Sequence, residues 1–262
     1  MPKELVSVVV VTYNSEDTIF ETIESIANQS YENIEIVVSD DCSQDRTIEI
    51  VRDYANNKTN IQIITSDHNT GVAANANRGI KNAHGKFIKL IAGDDVLERD
   101  AIEQYHAAFV DEKTIIIGDF ECFGKNQEAI NRIEKYYEDR AGFFKLNNKK
   151  QFDYLIKDNP ICAPAAGLIP RDLYETVGYY DENYKFLEDY PYWLKCSMNG
   201  IRFQFLDKKV VKYRVSEGSL TGKKKGKAFY CARDFFFDTR LKLLIRRGHF
   251  ITAFCYTMFY LI

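Results

Sequence analysis

Three pairs of carboxylates stand where this chain could do chemistry. Asp94 and Asp95 directly follow an apolar run, residues 87–91, and its short extension. Two carboxylates just past a buried strand can hold a hard divalent cation, Mg2+ or Mn2+, together with the phosphates of a substrate. The plainer account of this pair is helix capping ahead of Val96 and Leu97. Asp40 and Asp41 follow a second run, residues 34–39. Carboxylates there can accept hydrogen bonds from a base or a ribose, or they can cap a helix together with Ser43 and Asp45. Glu188 and Asp189 lie between Leu187 and Tyr190. A carboxylate near a reaction centre can take the proton of an attacking hydroxyl. Acids also favour the first turn of a helix, and Tyr192, Trp193 and Leu194 read as the apolar face of one. Thr12, Tyr13 and Asn14 add a hydroxyl, a ring and an amide after the first apolar run.

The elements that must position these residues are legible from periodicity. Residues 6–11 read as a strand buried on both faces, as in parallel sheets. Residues 34–39, 61–65 and 87–91 read as three more strands. Between them Ile19, Ile23 and Ile26, then Ile48, Val51 and Ala55, then Val72, Ala76 and Ile80 recur at helical spacing. This alternation predicts βαβ units: an α/β doubly wound, mostly parallel sheet with flanking helices. Right-handed crossovers put all the strand carboxyl ends on one edge, where open α/β sheets bind ligands. Residues 12–14, 40–41, 66–71 and 94–95 all fall on that edge. After residue 110 the rhythm breaks. Residues 115–118 predict one more strand, 119–150 read as irregular, and the half as a whole reads as a loop-rich wall rather than a separate domain.

Composition sets limits on the partners. The chain has 262 residues and a net charge of −3. From Lys208 onward thirteen Lys/Arg face three acids, so that segment carries +10 and the rest −13. An acidic body with a basic, aromatic C-terminal tail (residues 222–262) suggests an anionic partner for the tail. The tail reads either as a helix lying on a membrane surface or as one packed on its own domain or on a second copy in a homo-oligomer. Its final apolar run, residues 250–262, is too short to span a bilayer, which takes about 20 residues. Six scattered cysteines with no CxxC pair fit a reducing compartment. The N-terminal residues run straight into a strand with no signal-peptide pattern, so the expected location is cytoplasmic, with the tail as a peripheral membrane contact. GxGxxG, Walker and GxSxG patterns are absent.

Taken in order, the pieces resemble the large inverting glycosyltransferase family 2, whose members have the GT-A fold. The matching segments are SVVVVTYN (7–14), DDCSQDRT (40–47), NTG (69–71), NRGI (77–80), AHGKFIKLIAGDD (83–95), LEDYPYWL (187–194) and YRVSEGSLT (213–221). The resemblance implies a glycosyltransferase domain over residues 1–221, with a nucleotide-binding half (1–110) and an acceptor half (111–221). Thr12, Tyr13, Asn14, Asp40, Asp41, Asn69, Gly71 and Asn77 would then line the nucleotide. Asp94 and Asp95 would bind ribose and a Mn2+ or Mg2+ diphosphate, and Arg214 would approach that diphosphate. Asp189 would be the general base, with Glu188 beside it. The implied donor is a nucleotide sugar, of the uridine type by preference, and the implied acceptor a glycan or lipid-linked glycan of bacterial surface polysaccharide. Four positions depart from the family pattern: Ala92 where an acid is usual, Ala76 where Arg is usual, Cys42 for a common Gly, and Ser216 for a common His.

Rival readings differ in observable ways. A sugar nucleotidyltransferase would want a glycine-rich basic loop after the first strand, and residues 12–16 hold neither Gly nor Lys. A catalytically inactive sugar- or nucleotide-binding module would not need both acid pairs. Nucleic-acid binding by the tail is not expected; it would show as strongly salt-sensitive binding. The aromatics at 179–193 could cover a sugar face, while core packing accounts for at least half of them.

Overall fold

In the computed structural model, β1 (Val6–Thr12) lies between two parallel neighbours, β2 (Ile34–Asp40) and β4 (Phe87–Ala92), and β3 (Ile61–Thr65) pairs parallel to β2. The structure describes residues 3–56, 60–138, 140–161, 167–216 and 226–261. The sheet continues through β5 (Val96–Leu97), β6 (Thr114–Gly124), β7 (Gly167–Pro170) and β8 (Arg202–Val215), in the order β3-β2-β1-β4-β7-β6-β8-β5. Strand β7 enters antiparallel to both β4 and β6, and β5 antiparallel to β8.

The five valines of β1, broken only by the hydrogen-bonded Ser7, have a direct cause. Val6, Val8 and Val10 enter the core on one face with Ile19, Ile23 and Ile26, while Val9 enters the core on the other face with Ala73, Ala76 and Ile80. Alternate side chains of a strand point to opposite faces, so a strand covered on both sides needs apolar residues throughout. Helix Ile19–Ala27 covers the first face and helix Val72–Lys81 the second. The second helix comes so close that a Cβ on Gly79 would fall 2.4 Å from Val9 Cγ1. The doubly wound expectation holds.

The second half is more regular than the sequence suggested. The strand expected at 115–118 runs on to Gly124, pairing parallel with β8 through an irregularity at Gly118 and Asp119. The stretch read as irregular forms three helices, Gln127–Tyr137, Ala141–Phe144 and Asn148–Leu155. The first buries Ala129 and Ile130 and packs Ile133 and Tyr137 against the same core, a helical period set among polar residues. Its start was also marked: the Asn126 side chain accepts from Ala129 N at 3.0 Å, and Asn147 caps the third helix in the same way.

The tail packs on the domain. Helices Lys227–Phe235, Leu241–Arg246 and Phe250–Leu261 are linked by a π-helical turn, Phe236–Arg240, and by a bend at Gly248. Phe235, Phe236, Leu244 and Ala253 join the same core as Tyr184 and Tyr190. Arg240 is buried; its guanidinium donates to the carbonyls of Ile156 and Lys157 and lies 4.8 Å from the Tyr190 ring centroid. No helix among the described residues is long and apolar enough to cross a membrane. Residues 217–225, which hold part of the YRVSEGSLT segment and the lysine run, lie outside the described residues.

Candidate active site

Strands β1, β2 and β4 end in register, which gathers three loops on one edge: Thr12 pairs with Asp40, and Val11 with Ala92. The turns stay locked together past the strand ends. Asp41 N donates to Thr12 O at 3.0 Å, and Gly93 N to Val11 O at 2.9 Å. The segment 40–47 then clamps the segment 12–16. Ser43 Oγ accepts from Asn14 N, Thr47 Oγ1 from Ser15 N, and Asp45 Oδ2 from Glu16 N, while Asn14 Oδ1 accepts from Gln44 N. Asn14 (φ 51°) and Cys42 (φ 69°) both take the left-handed conformation that this clasp requires. Tyr13 projects from it, about half exposed, as a free ring on which a base could stack.

Asp40 and Asp41 are both buried and do different work. Both oxygens of Asp40 accept from Ser43, from its amide and its hydroxyl. Asp41 is committed to the next loop: it accepts from Thr70 N, Thr70 Oγ1 and Gly71 N, and pairs with Arg78 Nη2 at 3.3 Å. Its carboxylate therefore shapes the 69–71 turn, and Asn69 stands exposed at the apex. Gly71 is required twice over. Its φ is +92°, and a Cβ there would come within 2.9 Å of Lys185 Cβ. Val72 N also donates to Lys185 O. These contacts draw the segment that leads to Glu188 and Asp189 onto the carboxyl edge.

Asn77 replaces its expected nucleotide contact with a structural one. Buried on the helix, it donates to Tyr180 O and Glu182 Oε1 and accepts from Tyr180 N. Arg214 is likewise committed within the protein. Its amide donates to Asp95 Oδ1 at 2.8 Å, its Nε to Asp94 O at 2.7 Å, and its Nη2 pairs with Glu21. It props up the acid turn from below. Of the aromatics at 179–193, Tyr180, Tyr184, Tyr190, Tyr192 and Trp193 are core residues, so a sugar-covering role for them gives way to packing. Arg78, Asn75 and Asn159 had no assignment from sequence, and Ser43 only a capping one; Arg78 and Ser43 carried a signal, as part of the NRGI and DDCSQDRT segments.

Burial raises every carboxyl of the two acid pairs Asp94–Asp95 and Glu188–Asp189. Asp95 is buried, and burial, with Asp94 beside it, pushes its carboxyl well above the ordinary range despite the Arg214 amide. Asp94 is also raised by burial, against the pull of the Arg214 guanidinium. Lys89, fully buried nearby, is pushed down to about 7 by burial, with Asp95 opposing the shift. Two adjacent carboxyls, one buried and one half-buried, suit a divalent cation, whose charge offsets the desolvation penalty. Among the described residues no group of three or more His, Cys, Asp or Glu forms a closed cage. Two carboxylates with substrate phosphates completing the shell is an arrangement Mg2+ accepts. Thr12 Oγ1 supports a ligand at this spot: it is buried, has no hydrogen-bond partner among the described residues, and lies against Gly93.

Glu188 and Asp189 open the helix Asp189–Met198. Burial, then the neighbouring Asp189, pushes Glu188 up to about 8. Asp189 is pushed up to about 6 by burial, opposed by hydrogen bonds from Tyr190 N at 2.6 Å and Asn159 Nδ2 at 3.3 Å. A carboxylate of raised basicity, oriented by an amide, has the character of a general base.

A half-parallel sheet whose strand ends gather acids, with a later antiparallel insertion, defines a GT-A-type fold. The chain belongs to glycosyl transferase family 2, whose family model matches residues 7–178. It is 27% identical over 217 residues to an uncharacterized glycosyltransferase of Methanocaldococcus jannaschii, covering 82% of this chain and 72% of that one. It is 30% identical over 220 residues to the uncharacterized glycosyltransferase EpsJ of Bacillus subtilis, covering 83% and 63%. Staphylococcus aureus TarS, a poly(ribitol-phosphate) beta-N-acetylglucosaminyltransferase, is 29% identical over 238 residues, covering 90% of this chain and 39% of TarS. The crystal structure of TarS residues 1–349 in complex with UDP superposes with a TM-score of 0.63 and 25% identity, covering 87% of this chain and 63% of that one. The chain thus spans well under half of full-length TarS.

Proposed function

We propose that this protein transfers a sugar from a uridine diphosphate donor to an acceptor hydroxyl, with inversion, during assembly of a bacterial surface polysaccharide. What supports the reading is a pair of carboxylates, Asp94 and Asp95, just past β4 on the carboxyl edge, and a second pair, Glu188 and Asp189, opening a helix whose preceding segment bonds to that edge through Lys185 O and Val72 N. The TarS complex with UDP supports the choice of base. Tyr13 and the clasp of residues 12–16 and 40–47 offer the nucleoside a flat ring and fixed polar groups.

In this reading Asp189 takes the proton of the acceptor hydroxyl as its oxygen attacks the anomeric carbon. The new C–O bond forms on the face opposite the breaking bond, and the nucleoside diphosphate leaves with both bonding electrons. Asn159 and the Tyr190 amide hold the Asp189 carboxylate in place, so orientation supplies much of the rate. Asp94 and Asp95 would hold a Mn2+ or Mg2+ ion, which neutralises the growing charge of the leaving diphosphate. Arg214 keeps the acid turn in position through its backbone and side chain. Screening nucleotide sugars by thermal shift with and without Mn2+, followed by transfer assays with the donors that bind, tests the reading. A panel in which no uridine nucleotide shifts the melting temperature would overturn it.

A further inference from the structure

The C-terminal helix Phe250–Leu261 has twelve residues and not one charged side chain. Its inner face is covered. Ala253 is buried, Tyr256 and Tyr260 pack on Phe236, and Tyr260 also meets Phe229. Its outer face is bare. Ile251 is 82% exposed, Phe254 66% and Met258 41%, with Cys255 between them. These positions are three or four residues apart and form one continuous stripe. Exposed Phe250 and Ile245 extend it toward the preceding helix.

Charge identifies the partner. Residues 241–261 contain no Asp or Glu, while Lys242, Arg246 and Arg247 are exposed at the near end of the stripe. Arg247 pairs with Asp153 at 3.3 Å, so Lys242 and Arg246 are the two cations to count on. A protein partner is usually met by a rim of mixed polarity. An uncharged apolar stripe beside a purely basic edge matches the headgroup boundary of an anionic bilayer.

We propose that the outer face of helix Phe250–Leu261, with Lys242 and Arg246, docks on an anionic lipid surface and so brings the acceptor wall to an acceptor held in that surface. This rests on the transferase reading for its purpose but not for its geometry. The inner face of the same helix reaches the proposed base through a short series of contacts. The Tyr256 ring lies 4.8 Å from the Arg240 guanidinium, Arg240 Nε donates to Ile156 O, and Asn159 in the same segment donates to Asp189.

The test uses the whole chain and vesicles of phosphatidylglycerol mixed with phosphatidylethanolamine, against vesicles of phosphatidylcholine alone. Two double variants are compared with the wild type, Ile251→Gln with Phe254→Gln, and Lys242→Gln with Arg246→Gln. All four side chains are exposed, and circular dichroism checks that each variant is folded. The wild type should partition onto the anionic vesicles and lose that partitioning in high salt, and each variant should bind at least about tenfold more weakly. Transfer to a short water-soluble acceptor should be unchanged. Failure of the wild type to partition, or equal partitioning by both variants, overturns the docking proposal. So does a wild-type dimer that the Ile251/Phe254 variant turns into a monomer without altering vesicle binding, since a second copy would then own the stripe. Uridine diphosphate binding measured on the same samples is a separate readout: its absence would sink the transferase reading while leaving the lipid result standing or falling alone.

Discussion

The backbone amide of Arg214, on β8, donates to the buried carboxylate of Asp95, at the end of β4, across 119 positions of sequence. The Arg214 side chain adds a bond to the Asp94 carbonyl and an ion pair to Glu21. Any substitution short of proline keeps the amide contact, so Arg214→Ala isolates the side chain. The turn should loosen, with stability lowered by about 1–2 kcal/mol and Mn2+-dependent binding of uridine diphosphate weakened roughly fivefold or more. Calorimetric titration with and without Mn2+, beside urea unfolding, separates the two effects. Unchanged nucleotide affinity at lowered stability would show that the prop does not serve the acids.

As the proposed base, Asp189 would act only when ionised. With its carboxyl raised to about 6, turnover should climb as pH rises through about 6 and be lost below it. Asp189→Asn should cut kcat by about 10²–10⁴-fold, with donor affinity within about twofold of wild type. Asn159→Asp places a second carboxylate against the first and should move the rising limb to higher pH. A wild-type profile flat from pH 5 to pH 8 would argue against this assignment.

Ligand-free stability should fall with rising pH. Glu188 is raised from 4.5 to about 8, so the native state binds more protons there than the unfolded chain does. That contribution is complete below about 4.5 and disappears as pH climbs to about 8. Asp94 and Asp95 shift in the same direction. Glu4, lowered to about 2 by its hydrogen bond to His106, has the opposite sign, and its effect lies below this window. Melting temperatures across pH 5–8 should therefore decline, with a shallower slope in Glu188→Gln and in wild type saturated with Mn2+ and uridine diphosphate.

Cys42 holds φ at 69° where a side chain is strained. Its thiol makes only a 3.4 Å contact to Asp67 O and a 3.3 Å contact from Gln44. Cys42→Gly should therefore be neutral or stabilising by up to about 1 kcal/mol, because relief of the left-handed penalty offsets the added chain entropy. Cys42→Val should destabilise by more than that. Thermal melts of the two variants decide the matter.

The readable part of this chain was the part governed by local rules. Strands β1, β2 and β4 are mostly apolar because both of their faces are covered, the edge strand β3 is only partly buried, and the acids after them fall on one edge whatever the loops do. Long-range partners could not be read. Nothing near Arg214 says that β8 returns alongside Asp94, and nothing near Asn159 says that it will orient Asp189. Arg240 read as one more cation of a basic tail, yet the fold buries it over Tyr190. Helix Gln127–Tyr137 carries a helical period at Ile130, Ile133 and Tyr137 and a start signal at Asn126, so it was legible although the stretch as a whole reads as irregular.

The side-chain amide of Asn75 joins three parts of the molecule. It accepts from Ser39 Oγ at 2.7 Å and from Arg78 Nη1 at 2.9 Å, and it donates to Thr12 O at 3.2 Å. The rims of the first two strands are thereby fixed before any ligand arrives. The loss of freedom needed to form that rim belongs to folding, not to recognition, so under the proposed function a nucleotide would meet a finished cleft and a larger share of its contacts would appear as affinity.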